Sequence, residues 1–328
     1  MSLAATQLAT SEVIPEEPES RRIEGRTPAQ LVFQRLRTDR VALLSIIVIL
    51  LIVAVAIAAP LIAGVTGHGP ADANVDTGTD ASGQPLPPGS AGYLLGTDNL
   101  GRDILVRIAY GARISLLVGV LATAIATVFG VVVGLFAGYF GGWLDSILAR
   151  LLDVVLSFPY VLLAIVLVSV FGASLPLTIL VIAFFSFAAI GRIVRGQALS
   201  QREKEYVEAA HSLGAGNLRI MFVDILPNLV APVIVLATLL IPAAIIFEAT
   251  LSFLGLGVVP PTPSWGNMLA DAEGVGFQAW WFYIFPMLFL LITTLAFNLL
   301  GDAVRDALDP RTERIFARRR KDANTATR

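Results

Sequence analysis

Residues 41–62, VALLSIIVILLIVAVAIAAPLI, form an apolar run of 22 residues without one charged side chain. A helix of that length rises about 33 Å at ~1.5 Å per residue, enough to cross the roughly 30 Å hydrocarbon core of a bilayer. The run is longer than the apolar core of a signal peptide and starts further along the chain. It therefore predicts a transmembrane helix.

Five further apolar runs are long enough to span: 114–138, 154–171, 173–191, 225–247 and 279–300. The composition agrees, because 56% of the 328 residues are hydrophobic and only 15% are charged, with a mean hydropathy of +0.77. The fold class that follows is all-α, a polytopic membrane protein with six transmembrane helices. We expect the helical domain to cover 31–311, between a disordered cytoplasmic tail at 1–30 and a basic cytoplasmic tail at 312–328.

The positive charges predict the orientation of these helices. Twenty of the 23 Lys and Arg residues fall before residue 41, after residue 300, or in the segments 139–153 and 192–224, whereas 63–113 carries three. By the positive-inside rule, both termini and the 192–224 segment are cytoplasmic. The segments 63–113 and 249–278 are then extracytoplasmic. Within the first, we expect a surface helix in the stretch 93–116 that leads into the second span, with Thr97 or Asp98 as its cap. On the cytoplasmic side, we expect an amphipathic surface helix within 141–159.

The sequence excludes several kinds of chemistry. It has no cysteine, and neither of its two lysines follows glycine and precedes Ser or Thr, so it contains no phosphate-binding loop. Its two histidines lie far apart, and no metalloprotease or serine-hydrolase motif occurs. We expect no catalytic residue, no metal and no cofactor of its own, and the net charge of −2 argues against nucleic acid. Ionisable residues are nearly absent from the apolar runs, and Glu248, at the end of one of them, is the exception. We expect it either to face the translocation pathway or to pair with a helix end or a neighbouring loop.

A polar island at 203–228, EKEYVEAAHSLGAGNLRIMFVDILPN, interrupts the apolar runs. One helical face carries residues at the spacing i, i+3, i+4, i+7: Tyr206, Ala209, Ala210 and Leu213. Gly214 is suited to end that helix, and Asn217 to cap a second one with Leu218, Met221, Phe222 and Ile225 on one side. Such a pattern is common as core packing in soluble domains, but between membrane helices it favours a docking surface.

The island also carries a family resemblance. Its Glu208-Ala209-Ala210, Gly214 and Ile225-Leu226-Pro227 resemble the EAA loop of bacterial ABC importer permeases, although Asp224 departs from the apolar residue that many of them have there. Four further matches follow in family order: LLGTDNLGRDILVRIAYGARISL (94–116), LSFPYVLLAI (156–165), SFLGLGVVPPTPSWGNML (252–269) and LAFNLLGDAVRDALDPR (295–311). The whole pattern is similar to the second, C-type permease subunit of the dipeptide, oligopeptide and nickel importers.

The resemblance implies a function and a set of partners. The chain would form half of a translocation pathway in a bacterial plasma membrane, beside a sister permease subunit. Two ATP-binding subunits, which hold the ATP and Mg, would drive it, and an extracytoplasmic solute-binding protein would deliver peptides. The island would be the coupling helix that contacts the ATPase through seven residues: Glu205, Tyr206, Glu208, Ala209, Ala210, His211 and Gly214.

Two other classes compete with that reading. A secondary transporter or channel would use 203–228 as a mere loop, but the near absence of ionisable residues in the apolar runs argues against ion coupling. A membrane-embedded enzyme needs a nucleophile with a base, or a metal set, and the sequence supplies neither. The substrate, whether dipeptide, longer peptide or nickel complex, is not determined by these residues.

Overall fold

The computed structural model describes residues 34–308, so the expected tails 1–30 and 312–328 lie outside the described residues. The main helices are α1 (Arg40–Thr66), α2 (Ile104–Phe140), α3 (Gly142–Ser157), α4 (Tyr160–Phe171), α5 (Leu175–Arg202), α6 (Glu205–Ser212), α7 (Asn217–Phe253), α8 (Trp265–Glu273) and α9 (Trp280–Leu308). Five helices are long and apolar enough to span: α1, α2, α5, α7, and α9 with its preceding turn. The pair α3 and α4 gives a sixth span if counted together. The predicted all-α membrane fold is confirmed.

The third expected span, 154–171, is not one straight helix. It is divided between α3 and α4, which meet at an angle of 86°. The break falls at Phe158 and Pro159 because proline has no N–H and disfavours helical backbone in the residue before it, and Phe158 is extended at φ −79° and ψ 135°. With only 12 residues, α4 reaches about 18 Å, too short to cross a bilayer alone.

The amphipathic α3 lies against α5, as its charge pattern allows. Asp145 forms a two-pronged ion pair with Arg195, including a 2.7 Å bond from Nη2 to Oδ2, and Asp153 pairs with Arg192. These pairs hold α3, from its first turn to its last third, against the C-terminal half of α5.

The surface helix expected within 93–116 does not form as a separate element. Residues from Ile104 onward belong to α2, which continues for 37 residues, or about 55 Å, and so extends well beyond a bilayer core. Its cap is neither Thr97 nor Asp98 but Asp103, whose carboxylate accepts from the N–H of Leu105 at 2.8 Å. The residue spacing alone did not show that the helix is continuous from Ile104 into the second predicted span.

A buried ion-pair network ties the segment 67–103 to α2 and α8. The fully buried Asp98 lies 2.6 Å from Nε of Arg102 and 3.3 Å from Nε of Arg107. Asp271 on α8 lies 2.9 Å from Arg102 and 3.3 Å from Arg107. Two carboxylates thus neutralise two buried guanidinium groups, which lets charged residues occupy the interior of this end of the bundle.

Close packing of α2 on α5 forms the centre of the bundle. Gly130, Gly134 and Gly138 lie on one face of α2, at a spacing of four residues. A Cβ added at Gly134 would lie 2.5 Å from the carbonyl oxygen of Gly191 and 2.8 Å from Cβ of Val194. Small residues therefore let the two backbones approach, as is typical of helices packed within membranes.

Candidate functional site

The helix α6 projects at the end of the bundle where α2 and α5 finish and α7 begins. Val207 is buried, Ala210 packs against the same hydrophobic core, and Leu213 is 88% exposed. The predicted apolar face of Tyr206, Ala209, Ala210 and Leu213 therefore does not turn into the core, except for Ala210. The residue that anchors α6 is Val207, three positions before Ala210.

The exposed face of α6 borders an open cleft of about 630 Å³. Its walls comprise nine residues from α6, the following turn and the start of α7: Tyr206, Ala209, Ala210, Leu213, Gly214, Ala215, Gly216, Arg219 and Asp224. Small side chains form the floor, while Arg219 and Asp224 place opposite charges on one side. A concave surface with small residues and a charged rim suits another protein better than a small apolar ligand.

Gly214 makes the turn that shapes this cleft, as the sequence predicted. Its φ of +79° lies in the left-handed region, which favours glycine, and its N–H donates to the carbonyl of His211 at 2.9 Å. The next residue, Ala215, donates to the carbonyl of Ala210 at 3.0 Å, which closes the end of α6. Nothing lies within 4 Å of a Cβ added at Gly214, so the conformation, rather than crowding, favours glycine.

The first turns of α7 depart from the predicted pattern. Residues Ile220–Ile225 form a π-helical turn, in which i and i+5 come onto the same side, and both Ile220 and Ile225 are buried. Leu218 and Phe222, expected on the same side as Met221 and Ile225, are 63% and 43% exposed, whereas Met221 and Ile225 are buried. The extra residue in this turn leaves Asp224 half-exposed at the cleft.

Asn217 has a different role from the predicted cap. Gly216 precedes the helix without a side-chain cap bond, and Oδ1 of Asn217 accepts a 2.9 Å hydrogen bond from the hydroxyl of Tyr139. That hydroxyl also lies 3.3 Å from Nε2 of His211, and the carbonyl of Tyr139 accepts from Arg202 at 3.1 Å. One tyrosine at the end of α2 thereby meets α5, α6 and α7, an arrangement we call the Tyr139 joint.

A second tyrosine fixes the other end of α6. The hydroxyl of Tyr206 donates to Oε1 of Gln201 on α5 at 2.9 Å and accepts from Nδ2 of Asn228 on α7 at 3.4 Å. Desolvation raises the pKa of Tyr206 above its ordinary value, so the hydroxyl stays protonated and able to donate at neutral pH. The helix is thus attached at both ends to the spanning helices.

Most of the predicted contact residues are exposed. Glu205, Tyr206, Glu208, Ala209, His211 and Gly214 are exposed, and Ala210 is half-buried. The structure brings Tyr206, Ala209, Ala210 and Gly214 together at the cleft. Across residues 34–308, no group of three or more His, Asp or Glu side chains is arranged to hold a metal ion.

Glu248 lies away from this surface, deep inside the chain. It is fully buried on α7, where its carboxylate accepts from the hydroxyls of Ser115 at 2.8 Å and Ser252 at 2.7 Å. Ser252 in turn accepts from the backbone N–H of Val258. Of the two roles considered for Glu248, this enclosed position favours the structural one, in which it joins α2 to the loop after α7.

Sequence reasoning missed three contributors to the site: Tyr139, Arg202 and Val207. Tyr139 belongs to an apolar run and Arg202 to a stretch counted only for its charge, so neither stood out. The glycine spacing at 130, 134 and 138 was the available signal, because it indicates that α2 packs closely on another helix. The identity of that helix depends on the fold.

The fold is shared with a solved structure. The chain resembles a subunit from a structure described as inward-facing conformations of the MetNI methionine ABC transporter, with a TM-score of 0.53 over 62% of this chain and 96% of that one. The sequence identity is 16%, so this likeness concerns the fold alone.

Sequence comparison specifies the family. Residues 130–314 match the family described as the inner membrane component of binding-protein-dependent transport systems, and residues 27–88 match the N-terminal membrane domain of oligopeptide transport permease C. The oligopeptide transport system permease protein OppC of Salmonella typhimurium is 44% identical over 92% of this chain and 97% of its own length. The dipeptide transport system permease protein DppC of Escherichia coli is 52% identical over 68% of this chain and 74% of its own. The chain belongs to this family of ABC transporter permeases, as a C-type subunit.

Proposed function

We propose that this chain is one of two permease subunits of an ATP-driven importer of peptides. The observation that carries the proposal is the exposed, cleft-bordering face of α6, a docking surface held rigidly to the spanning helices. Support for peptides as substrates comes from the relatives, which are named as oligopeptide, dipeptide and di/tripeptide permeases. The substrate site and the energy source then involve other subunits.

The partners follow from this role. A sister permease subunit completes the pathway, and two ATPase subunits bind ATP and Mg and contact α6 through Glu205, Tyr206, Glu208, Ala209, Ala210, His211 and Gly214. The exposed Glu208 is suited to accept charge-assisted hydrogen bonds from an arginine of the ATPase. An extracytoplasmic solute-binding protein delivers the peptide at the opposite end, formed by 67–103 and α8.

The orientation rests on the charge asymmetry. We place α6 and both termini in the cytoplasm of a bacterial cell, with the loop 67–103 and α8 outside. In this arrangement the ATPase binds at α6, while the binding protein approaches the segment tied down by Asp98 and Asp271.

Alternating access supplies the mechanism. When the two ATPase subunits close on ATP, α6 moves with them, and its links to the Tyr139 joint and to Tyr206 pass the displacement to α2, α5 and α7. These helices rock and open the pathway to the delivered peptide. ATP hydrolysis then restores the inward-open arrangement.

The test is reconstitution of the chain with its sister subunit, ATPases and binding protein in proteoliposomes. We expect uptake of a mixture of di-, tri- and pentaalanine that requires ATP and the binding protein. Glu208→Ala is expected to weaken retention of the ATPase during purification, by about 2–5 kcal/mol if the contact is desolvated. Uptake that ignores ATP and follows an ion gradient would instead support a secondary transporter.

A further inference from the structure

A cavity of about 340 Å³ lies beside the break between α3 and α4. Its lining joins the break and the adjoining ends of α3 and α4 to α5 and α7, and includes Phe158, Tyr160, Phe185, Ser186, Ala244 and Phe247. Four of the lining residues are aromatic, and the ring centroids of Tyr160 and Phe247 are 4.3 Å apart. The volume falls at the lower end of the roughly 300–1,000 Å³ typical of small-molecule sites.

The cavity lies about half the thickness of a bilayer core from the start of α5. Phe185 is ten residues from the start of α5, about 15 Å along a helix axis at ~1.5 Å per residue, and a bilayer core is roughly 30 Å thick. The ring of Tyr160 is 6.3 Å from that of Phe185, so the start of α4 is at the same depth. The break in helical structure between α3 and α4 therefore also lies about half a bilayer core from the start of α5.

The polar groups at this depth have no partner among residues 34–308. The hydroxyls of Tyr160 and Ser186 make no hydrogen bond there, although most Ser and Thr hydroxyls on the spanning helices bond a carbonyl one turn earlier, as Ser169 does at 2.7 Å. The N–H groups of Tyr160, Val161 and Leu162 also find no acceptor, since Pro159 offers no side-chain cap.

Contact with lipid would be unfavourable for these unpaired polar groups. An unsatisfied backbone group facing hydrocarbon is strongly unfavourable, so irregular backbone within a membrane is found where it is buried in protein or borders water. Here Phe158 is 50% exposed and Tyr160 is 47% exposed, so the surrounding chain does not bury the break. Water, a polar ligand or a polar group of a partner subunit would satisfy these groups.

We propose that this cavity is part of the translocation pathway, and that Tyr160 and Ser186 contact the backbone of the peptide in transit. A peptide backbone carries both donors and acceptors, which match two hydroxyls and a row of free N–H groups. The aromatic rings accept side chains of varied shape without requiring a particular one. This inference rests on the proposed function and assigns a location to the substrate within it.

The absence of cysteine from the chain permits a direct test. Ser186→Cys places one nearly isosteric thiol in the cavity of the complete reconstituted transporter. The matched control is Leu50→Cys, ten residues into α1 and 60% exposed on a face that we assign to lipid. The probe is a positively charged, membrane-impermeant methanethiosulfonate, which reacts with the thiolate that forms in water.

We expect Ser186→Cys to react at least about tenfold faster than Leu50→Cys, because a thiol in hydrocarbon does not ionise. The labelled Ser186→Cys transporter should lose most of its ATP-dependent uptake of the alanine peptides, whereas treatment of the Leu50→Cys transporter should leave uptake unchanged.

Two results would overturn the inference while leaving the proposed function intact. Equally slow labelling of both thiols, with uptake preserved, means that lipid or a helix of the sister subunit covers the cavity. Fast labelling of Ser186→Cys without loss of uptake means an aqueous cavity away from the pathway. If the unmodified transporter shows no ATP-dependent peptide uptake, the proposed function fails, and the pathway assignment fails with it.

Discussion

The hydroxyl of Tyr139, the penultimate residue of α2, donates a 2.9 Å hydrogen bond to Oδ1 of Asn217, the first residue of α7. The two residues are 78 positions apart in the chain, and His211 of α6 lies beside the same hydroxyl. This contact joins the docking helix to two spanning helices at one point. These directional hydrogen bonds can therefore transmit a displacement of α6 to α2 and α7.

Replacing Tyr139 with Phe tests the joint, since it removes the hydroxyl and keeps the ring. We expect peptide uptake per ATP hydrolysed to fall about 2- to 10-fold, the equivalent of losing a hydrogen bond worth ~0.5–1.5 kcal/mol. Parallel measurement of uptake and ATPase activity gives the ratio. Tyr110→Phe on the same helix is the control, because the hydroxyl of Tyr110 makes no hydrogen bond within residues 34–308. An unchanged ratio in Tyr139→Phe would show that the joint carries no coupling.

Gly214→Val should impair ATPase docking through the backbone alone. A β-branched residue at φ +79° is strained by roughly 1–2 kcal/mol or more, whereas Gly214→Asn retains a residue that tolerates the left-handed region. We expect Val to reduce co-purification of the ATPase and Asn to restore most of it. Gly216→Ala, at an open position without a positive φ, serves as the control. If Val and Asn behave alike, the left-handed turn is not what positions α6.

Gly134→Ala should destabilise the bundle by overpacking α2 against α5. The added methyl group would meet the backbone of Gly191, which has little freedom to move, and we expect a cost of about 1–3 kcal/mol. The apparent melting temperature of the purified protein in detergent gives the measurement. Gly196→Ala on α5 adds the same methyl group where nothing lies within 4 Å, so that variant should melt at or slightly above the parent temperature.

Glu248→Ala and Glu248→Gln should differ in stability. Alanine leaves the buried hydroxyls of Ser115 and Ser252 without their acceptor, at about 1–3 kcal/mol for each unsatisfied group. Glutamine keeps one carbonyl oxygen in place, so its melting temperature should lie nearer the parent value. Retained uptake in Glu248→Gln would agree with a structural role. Abolished uptake at near-parent stability would instead indicate that Glu248 is a pathway residue.

Asp98→Ala should loosen the segment 67–103. It leaves the buried guanidinium groups of Arg102 and Arg107 with Asp271 as their remaining ion-pair partner, and removing one member of such a network costs about 3–5 kcal/mol. Hydrogen exchange of 67–103 is expected to accelerate. Asp76→Ala changes an exposed carboxylate in the same segment and is expected to leave exchange unchanged.

Individual residues show which features of the candidate site could be predicted from the sequence. Gly214 was assigned correctly because a left-handed turn leaves a local signature that needs no knowledge of the rest of the chain. Asn217 was assigned to the wrong task, because a cap is a local role, while its actual partner Tyr139 is on another helix. The residue that anchors α6 to the core, Val207, was not predicted, because the apolar stripe of α6 was interpreted as a docking surface and the partner of the opposite face depends on the fold.

By itself, the sequence determined the membrane class, the approximate helix positions and the family, because each depends on length, hydropathy or a motif within a short stretch of chain. The tertiary structure alone decided where α3 and α4 break, that α2 begins at Ile104, and that Glu248 lies enclosed between two serines. The physical reason is that a long apolar run is stable as a helix in a bilayer whichever helices lie beside it. A bend, a joint or a cavity depends on the partner that the fold supplies.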